Sequence, residues 1–295
     1  MLERLSPNVQ GMFYMVLAMF GFTVNDLFVK YVGQSLPVFE IIAIRGLFIL
    51  SFLLIWLLIV SHRRSAPALP AQKRWPLVLM RALMEVLATI VFLIALVRIP
   101  FADVSAVMQS LPLAVTFGAA VFLGEPVGWR RWAAILVGFI GVLIIIRPGF
   151  TGFQPATLLV VLSVLFAAAR DLITRVLPSD VHSYWVTVAT ALMVAGYGLI
   201  STTVLGQWEP ITLSSLMLIF GAASFLIIGY LCIIQAMRVG EVASVTPFRY
   251  TSLLWAILFG FLVFSEVPDR LTVIGSLIVV GTGLFAWYRE RRISS

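Results

Sequence analysis

Arg81 and Glu85 stand four residues apart in "WPLVLMRALMEVLATIVFL", a stretch otherwise apolar enough to lie inside a bilayer. On a helix that spacing puts both charges on one face, where they can neutralise each other or present opposite signs to a polar solute. Glu85 falls about 15 Å along such a helix, close to the bilayer midplane, at about 1.5 Å per residue. Holding a charge there costs about 2.5 to 3.5 kcal/mol on insertion scales, so each charge needs a partner or a wet cavity. Arg249, in "TPFRYTSLLWA", is a cation at similar depth, with Tyr250 beside it and Trp255 further on. A guanidinium is always charged and grips a carboxylate or phosphate in a two-pronged fork. Together these residues could take a bipolar organic solute, with its carboxylate on an arginine, its cationic group near Glu85 and a ring stacked on an aromatic side chain. A self-neutralising Arg81–Glu85 pair with a purely structural role is the competing reading.

A second group of charges lies in "FTVNDLFVKYVGQSLPVFEIIAIRG". Asn25 and Asp26 fall in the outer part of a first span, and Lys30, one turn on, is expected to reach the outer interface by snorkelling. Glu40 and Arg45 enter from the same side on a second span. They read either as an ion-pair cluster fastening two helices or, for Asp26 and Arg45, as part of a site or gate. Arg170 and Asp171 in "ARDLITR" mirror Asn25 and Asp26 toward the opposite face, and the two pairs read either as the two gates of a solute pathway or as two locks between helices. Gln109 precedes Pro112 by one turn in "MQSLPLAV", and Pro247 precedes Arg249; each proline removes a backbone donor, so irregular helix is expected at both places.

The elements that must carry these side chains follow from composition. The chain has 295 residues, of which 61% are hydrophobic and 11% charged, with a mean hydropathy of +1.08. No ordinary soluble domain is built this way. A helix needs about 20 apolar residues to cross the hydrocarbon core, and ten such spans fit at 10–32, 38–60, 75–97, 101–123, 130–147, 155–177, 182–205, 212–236, 241–264 and 271–288. Unbroken runs such as "LVGFIGVLIII" fit helices and not the alternation of a membrane barrel. The expected fold is an all-α integral membrane bundle, with the lipid bilayer as its first partner. The first span has no small-residue cleavage site and reads as retained structure rather than a signal peptide.

The net charge of +7 is scattered over short connections and does not point to nucleic acid. It orients the chain instead. A cytoplasmic N-terminus puts Arg4, Arg63, Arg64, Lys73, Arg74, Arg130, Arg131, Arg175, Arg238, Arg289, Arg291 and Arg292 inside, against Lys30, Arg98, Arg147 and Arg270 outside. Both termini are therefore expected in the cytoplasm. The lone Cys232 excludes an intramolecular disulfide and reads as a packing residue. His62 and His182 sit at helix ends, no phosphate-binding loop and no "GxSxG" elbow is present, and Asp26 and Asp171 lie at different depths. These points argue against a metal, a cofactor, ATP-driven pumping and an intramembrane enzyme. A channel would want a symmetric polar ring, which the scattered polar residues do not form.

The second half repeats the order of features in the first. "NDLFVK" is answered by "RDLITR", "ADVSAV" by "GEVASV", and "FLGEPVGWRR" by "VFSEVPDRLT"; each half closes in a glycine-studded helix. The expected units are residues 1–149 and 150–295, five helices each. An odd number of spans starts the second copy on the opposite side of the membrane, so the repeats are expected to be inverted, an architecture recurrent in secondary transporters.

These residues resemble the drug/metabolite transporter superfamily, specifically its ten-helix EamA-type members. The resemblance covers nearly the whole chain and is clearest in "FLGEPVGWRRWAAILVGFIGVLIIIRPG" and "TPFRYTSLLWAILFGFLVFSEVPDRLTVIGSLIVVGTGLF". "NDLFVKYVG", "FEIIAIRG" and "PFRYTSLLWA" are similar to a bacterial subgroup containing S-adenosylmethionine and riboflavin transporters. The resemblance implies an inner-membrane secondary transporter of a small organic metabolite working by alternating access. An amino-acid-bearing or nucleoside-like solute such as S-adenosylmethionine ranks first, ahead of riboflavin, an amino acid or a drug. A coupling ion, a proton among the candidates, is left open, as are direction and oligomeric state. Gly138, Gly141, Gly275, Gly281 and Gly283 permit close helix approach, either inside one chain or in a homodimer.

Overall fold

The computed structural model describes residues 6–63, 69–125, 127–149, 153–178 and 180–294. Arg4, Arg64 and the start of the second half at Phe150 lie outside the described residues. Ten helices are long and apolar enough to cross a membrane: α1 Pro7–Val32, α2 Val38–Ile59, α3 Gln72–Leu96, α4 Phe101–Phe122, α5 Trp129–Ile146, α6 Thr157–Val176, α7 Ser183–Val204, α8 Leu213–Val239, α9 Thr246–Phe264 and α10 Arg270–Tyr288. Among the described residues there is no strand. Large side chains such as Leu54, Leu58, Ile140, Leu254 and Leu277 cover the outside of the bundle, whereas Ile41, Ile42, Leu93, Leu96, Phe101 and Leu113 fill its interior. Lipid tails are as apolar as leucine, so the bundle holds together by close packing and by polar contacts between helices.

Four helix pairs dominate that packing: α1 with α8, α3 with α6, α2 with α7, and α5 with α10. Advancing each helix by five exchanges the first two pairs and returns the last two to themselves. Small residues bring the pairs together. A Cβ on Gly275 of α10 would lie 2.6 Å from the Gly141 carbonyl oxygen of α5, so a side chain there would drive the two helices apart. Gly138 meets Leu113 and Gly283 meets Tyr250 within the same chain, while Gly281 faces open space.

Both proline-marked spans are irregular. In α4 the α-helix stops at Met108 and resumes at Leu111, leaving Gln109 and Ser110 between two segments. α9 opens as a 3-10 turn, Thr246–Tyr250, before its α-helical part begins at Thr251. The breaks face each other: Gln109 Nε2 donates to Ser252 Oγ at 2.7 Å.

At one end of the bundle, Lys30 Nζ pairs with Glu266 Oε1 at 3.0 Å and donates to the Ile99 carbonyl. Phe101 N donates to Glu266 Oε2 at 2.6 Å. The expected snorkelling of Lys30 is thus corrected: its side chain is only 6% exposed, because Glu266 and a backbone carbonyl offer it better partners than the interface. Glu40 does not pair with Lys30 either; it is fully buried and accepts from the Glu209 backbone N–H at 3.3 Å. At the same end Arg147 pairs with Asp269 and Thr272 donates to Asp103 at 2.9 Å. Burial pushes the Asp269 carboxyl up, but hydrogen bonds from Arg147 and Thr272 outweigh it and hold the group below the usual carboxylate range. The opposite end carries Arg175–Glu125 at 2.7 Å and Arg74–Asp180 at 3.3 Å.

Candidate functional site

A cavity of about 1040 Å³ runs into the bundle from the Arg175 end. Its volume sits at the upper end of the range for small-molecule sites. Arg131, Arg175 and Glu241 line its mouth, and Asp26, Gln109, Arg249, Tyr250 and Ser252 line its depth. The broken spans α4 and α9 place Gln109, Arg249 and Tyr250 there, since irregular backbone turns side chains and carbonyls toward a space that a continuous helix would close. Phe22, Phe92 and Trp287 add apolar faces.

Arg249 forms no ion pair among the described residues. The charged or ionisable groups acting on it are Asp171, Arg170 and the Tyr250 phenol. Asp171 is already engaged by Arg170 Nη2 at 2.8 Å, so Arg249 reaches the cavity wall as a largely uncompensated cation. Asp26 is linked differently. Arg45 Nη1 donates to Asn25 Oδ1 at 3.2 Å, and Asn25 Nδ2 donates to Asp26 Oδ1 at 2.9 Å. Asn25 and Arg45 are buried, whereas Asp26 opens onto the cavity.

The remaining expected site residues fall outside the lining. Glu85 Oε2 accepts from Arg170 Nη1 at 2.8 Å and lies 4.0 Å from Arg81 Nη2. Arg81 donates to Thr190 Oγ1 at 2.8 Å and to Thr174 Oγ1 at 3.2 Å. Arg81, Glu85, Arg170 and Asp171 therefore form a polar seam between α3, α6 and α7. Tyr230 of α8 is within electrostatic reach of Glu85, Arg170, Arg81 and Arg45, which extends the seam toward α2. Its signal in the sequence is a single hydroxyl in "FLIIGYLCII". Trp255 stands in an aromatic cluster, edge-on to Phe20 at 5.2 Å and stacked on Phe259 at 6.4 Å. The aromatic side chains that line the cavity are instead Phe22, Phe92, Phe101, Tyr250 and Trp287. No group of His, Cys, Asp and Glu side chains among the described residues could hold a metal ion.

The arrangement is a solute-sized cavity reaching one end of a ten-helix bundle, with a cation and a carboxylate in its depth that form no ion pair among the described residues. The profile of the EamA-like transporter family matches residues 9–147 and again 154–287. An S-adenosylmethionine uptake transporter of Rickettsia conorii is 26% identical over 298 residues, covering 98% of this chain and 96% of that protein. The pseudopaline exporter CntI of Pseudomonas aeruginosa is 29% identical, covering 92% and 93%. A riboflavin transporter of Vibrio cholerae is 28% identical, covering 92% and 91%. These relatives are transporters and not enzymes, and ten apolar helices make this chain a multi-pass protein of the inner membrane. The chain belongs to the EamA-like transporter family.

Proposed function

We propose that this transporter moves an amino-acid-bearing metabolite, with S-adenosylmethionine first among the candidates, by alternating access of two inverted five-helix repeats. The observation that carries the substrate reading is Arg249, a cation on the cavity wall without an ion-pair partner among the described residues. A carboxylate entering the cavity supplies that partner. The similarity to an S-adenosylmethionine uptake transporter is consistent with it. A flat vitamin such as riboflavin is the second reading, favoured by the aromatic faces of Phe22, Phe92 and Trp287; it would use those faces and leave the cation unanswered. The exchange of α1–α8 with α3–α6 on advancing by five helices supports the repeat. The excess of arginine and lysine at the Arg175 end supports placing that end in the cytoplasm. A coupling ion and a homodimer are not needed by any of these observations.

The test is equilibrium binding to the purified protein. A charge-assisted contact contributes about 1.5 to 3 kcal/mol, so Arg249→Gln is expected to weaken S-adenosylmethionine binding about tenfold to a hundredfold while the variant remains monodisperse. Esterifying the ligand's carboxylate should do comparable damage to the wild type. Full binding of riboflavin to both proteins, with no binding of S-adenosylmethionine to either, would replace this reading with the vitamin one.

A further inference from the structure

We infer that Asp26 receives the cationic group of the substrate, with Asn25 and Arg45 as the residues that position it. The inference rests on the proposed carboxylate-bearing substrate and adds the second half of its recognition. Glu85, the carboxylate that the spacing with Arg81 brings forward in the sequence, is committed to Arg170 at 2.8 Å and is absent from the described cavity lining. The carboxylates on that lining are Asp26 in the depth and Glu241 at the exposed mouth. Asp26 makes no ion pair among the described residues, and its one hydrogen bond, from Asn25, occupies Oδ1. Oδ2 therefore keeps its full accepting capacity.

The Arg45–Asn25–Asp26 chain explains how such a group is held. Arg45 fixes the Asn25 carbonyl oxygen, which turns the amide N–H2 toward Asp26 and sets the carboxylate's orientation. Arg45 acts on the Asp26 charge through space, but the two make no contact ion pair among the described residues, and the neutral amide between them leaves one carboxylate oxygen open to the cavity. An unpaired carboxylate at this depth is tolerable where water reaches it through the cavity, and a substrate cation that displaces the water replaces solvation by a direct charge–charge contact. Asp26 on α1 and Arg249 on α9 form no ion pair with each other among the described residues, so the depth of the cavity, inward of Arg131, Arg175 and Glu241 at the mouth, presents two separate charges of opposite sign. That pattern fits a solute whose cation and carboxylate are both exposed, and it disfavours a neutral ring or a simple anion.

The experiment measures affinity ratios on purified protein for two probe pairs. S-adenosylmethionine and S-adenosylhomocysteine differ in the sulfonium charge; L-methionine and N-acetyl-L-methionine differ in the ammonium charge. The wild type is expected to prefer the member with the additional cationic group in at least one pair about tenfold or more. Asp26→Asn should bring that ratio near one, and Asp26→Glu, which keeps the charge, should retain most of it. Asn25→Ala should lower the ratio in part, through the member that carries the additional cationic group, a charge-selective effect that a merely structural residue would not produce. Arg249→Gln should weaken both members alike and leave the ratio standing. A wild type without preference in either pair, or an Asp26→Asn protein that keeps the preference, overturns the inference but not the carboxylate reading. If Arg249→Gln leaves all affinities intact, the carboxylate reading fails by itself. If the wild type binds none of the four probes, both fail.

Discussion

The two ends of the bundle carry the same device in two conditions. Lys30 in "NDLFVK" reaches Glu266 in "VFSEV", and Arg175 in "RDLITR" reaches Glu125 in "FLGEP". Each glutamate follows a residue in the left-handed region, Ser265 at φ 56° and Gly124 at φ 66°. Each glutamate's backbone N–H also reaches back over the end of its helix, Glu266 to the Gly260 carbonyl at 2.9 Å and Glu125 to the Ala119 carbonyl at 3.2 Å. The surroundings differ. The Lys30–Glu266 side chains are 6% and 23% exposed, and Lys30 also sits 5.1 Å over the Phe264 ring. The Arg175–Glu125 side chains are 50% and 49% exposed, beside the cavity mouth. One end is sealed around its ion pair and the other is open around its counterpart. Under the alternating-access proposal, the sealed and open conditions exchange during the cycle.

The largest effect should come from breaking the sealed pair. Removing one partner of a buried ion pair leaves an uncompensated charge at a cost of about 3 to 5 kcal/mol. Lys30→Met is therefore expected to lower the thermal melting point strongly, and adding Glu266→Gln to it should recover much of the loss. At the open end the same substitution chemistry should do little, since exposed ion pairs contribute about 0 to 1 kcal/mol. Glu125→Gln is expected to change the melting point only slightly. Equal losses at both ends would break the comparison, and a double variant no better than Lys30→Met would remove the ion pair as its basis.

The spans, the two irregular helices at Pro112 and Pro247 and the order of the two half-motifs were legible because each depends on neighbours along the chain. Partners across helices were not. Spacing pairs Glu85 with Arg81, but the fold gives Glu85 to Arg170, which projects from a different helix and reaches it at the shorter distance. Along the sequence Lys30 has the marks of an interfacial residue, because its partner, Glu266, lies near the other end of the chain. Asn25 was visible only as a polar neighbour of Asp26; its place between Arg45 and Asp26 depends on how α1 and α2 pack. Phe22, Phe92 and Trp287 carry no mark that separates aromatic side chains facing a cavity from the many that face lipid. Arg249 stood out in both views, because a permanent cation inside an apolar span demands an explanation wherever the helices lie.

Distances across both ends, measured on one protein with and without substrate, test the exchange most directly. Exposed positions serve as spin-label sites on a Cys232→Ser background: Tyr31 with Val267 at the sealed end, and Phe122 with Val176 at the open end. Pulsed electron-spin distance measurements on reconstituted protein should show reciprocal changes as S-adenosylmethionine is added, the Tyr31–Val267 distance lengthening in the subpopulation whose Phe122–Val176 distance shortens. Both distances moving in the same direction, or one end fixed while the other moves, would contradict the account.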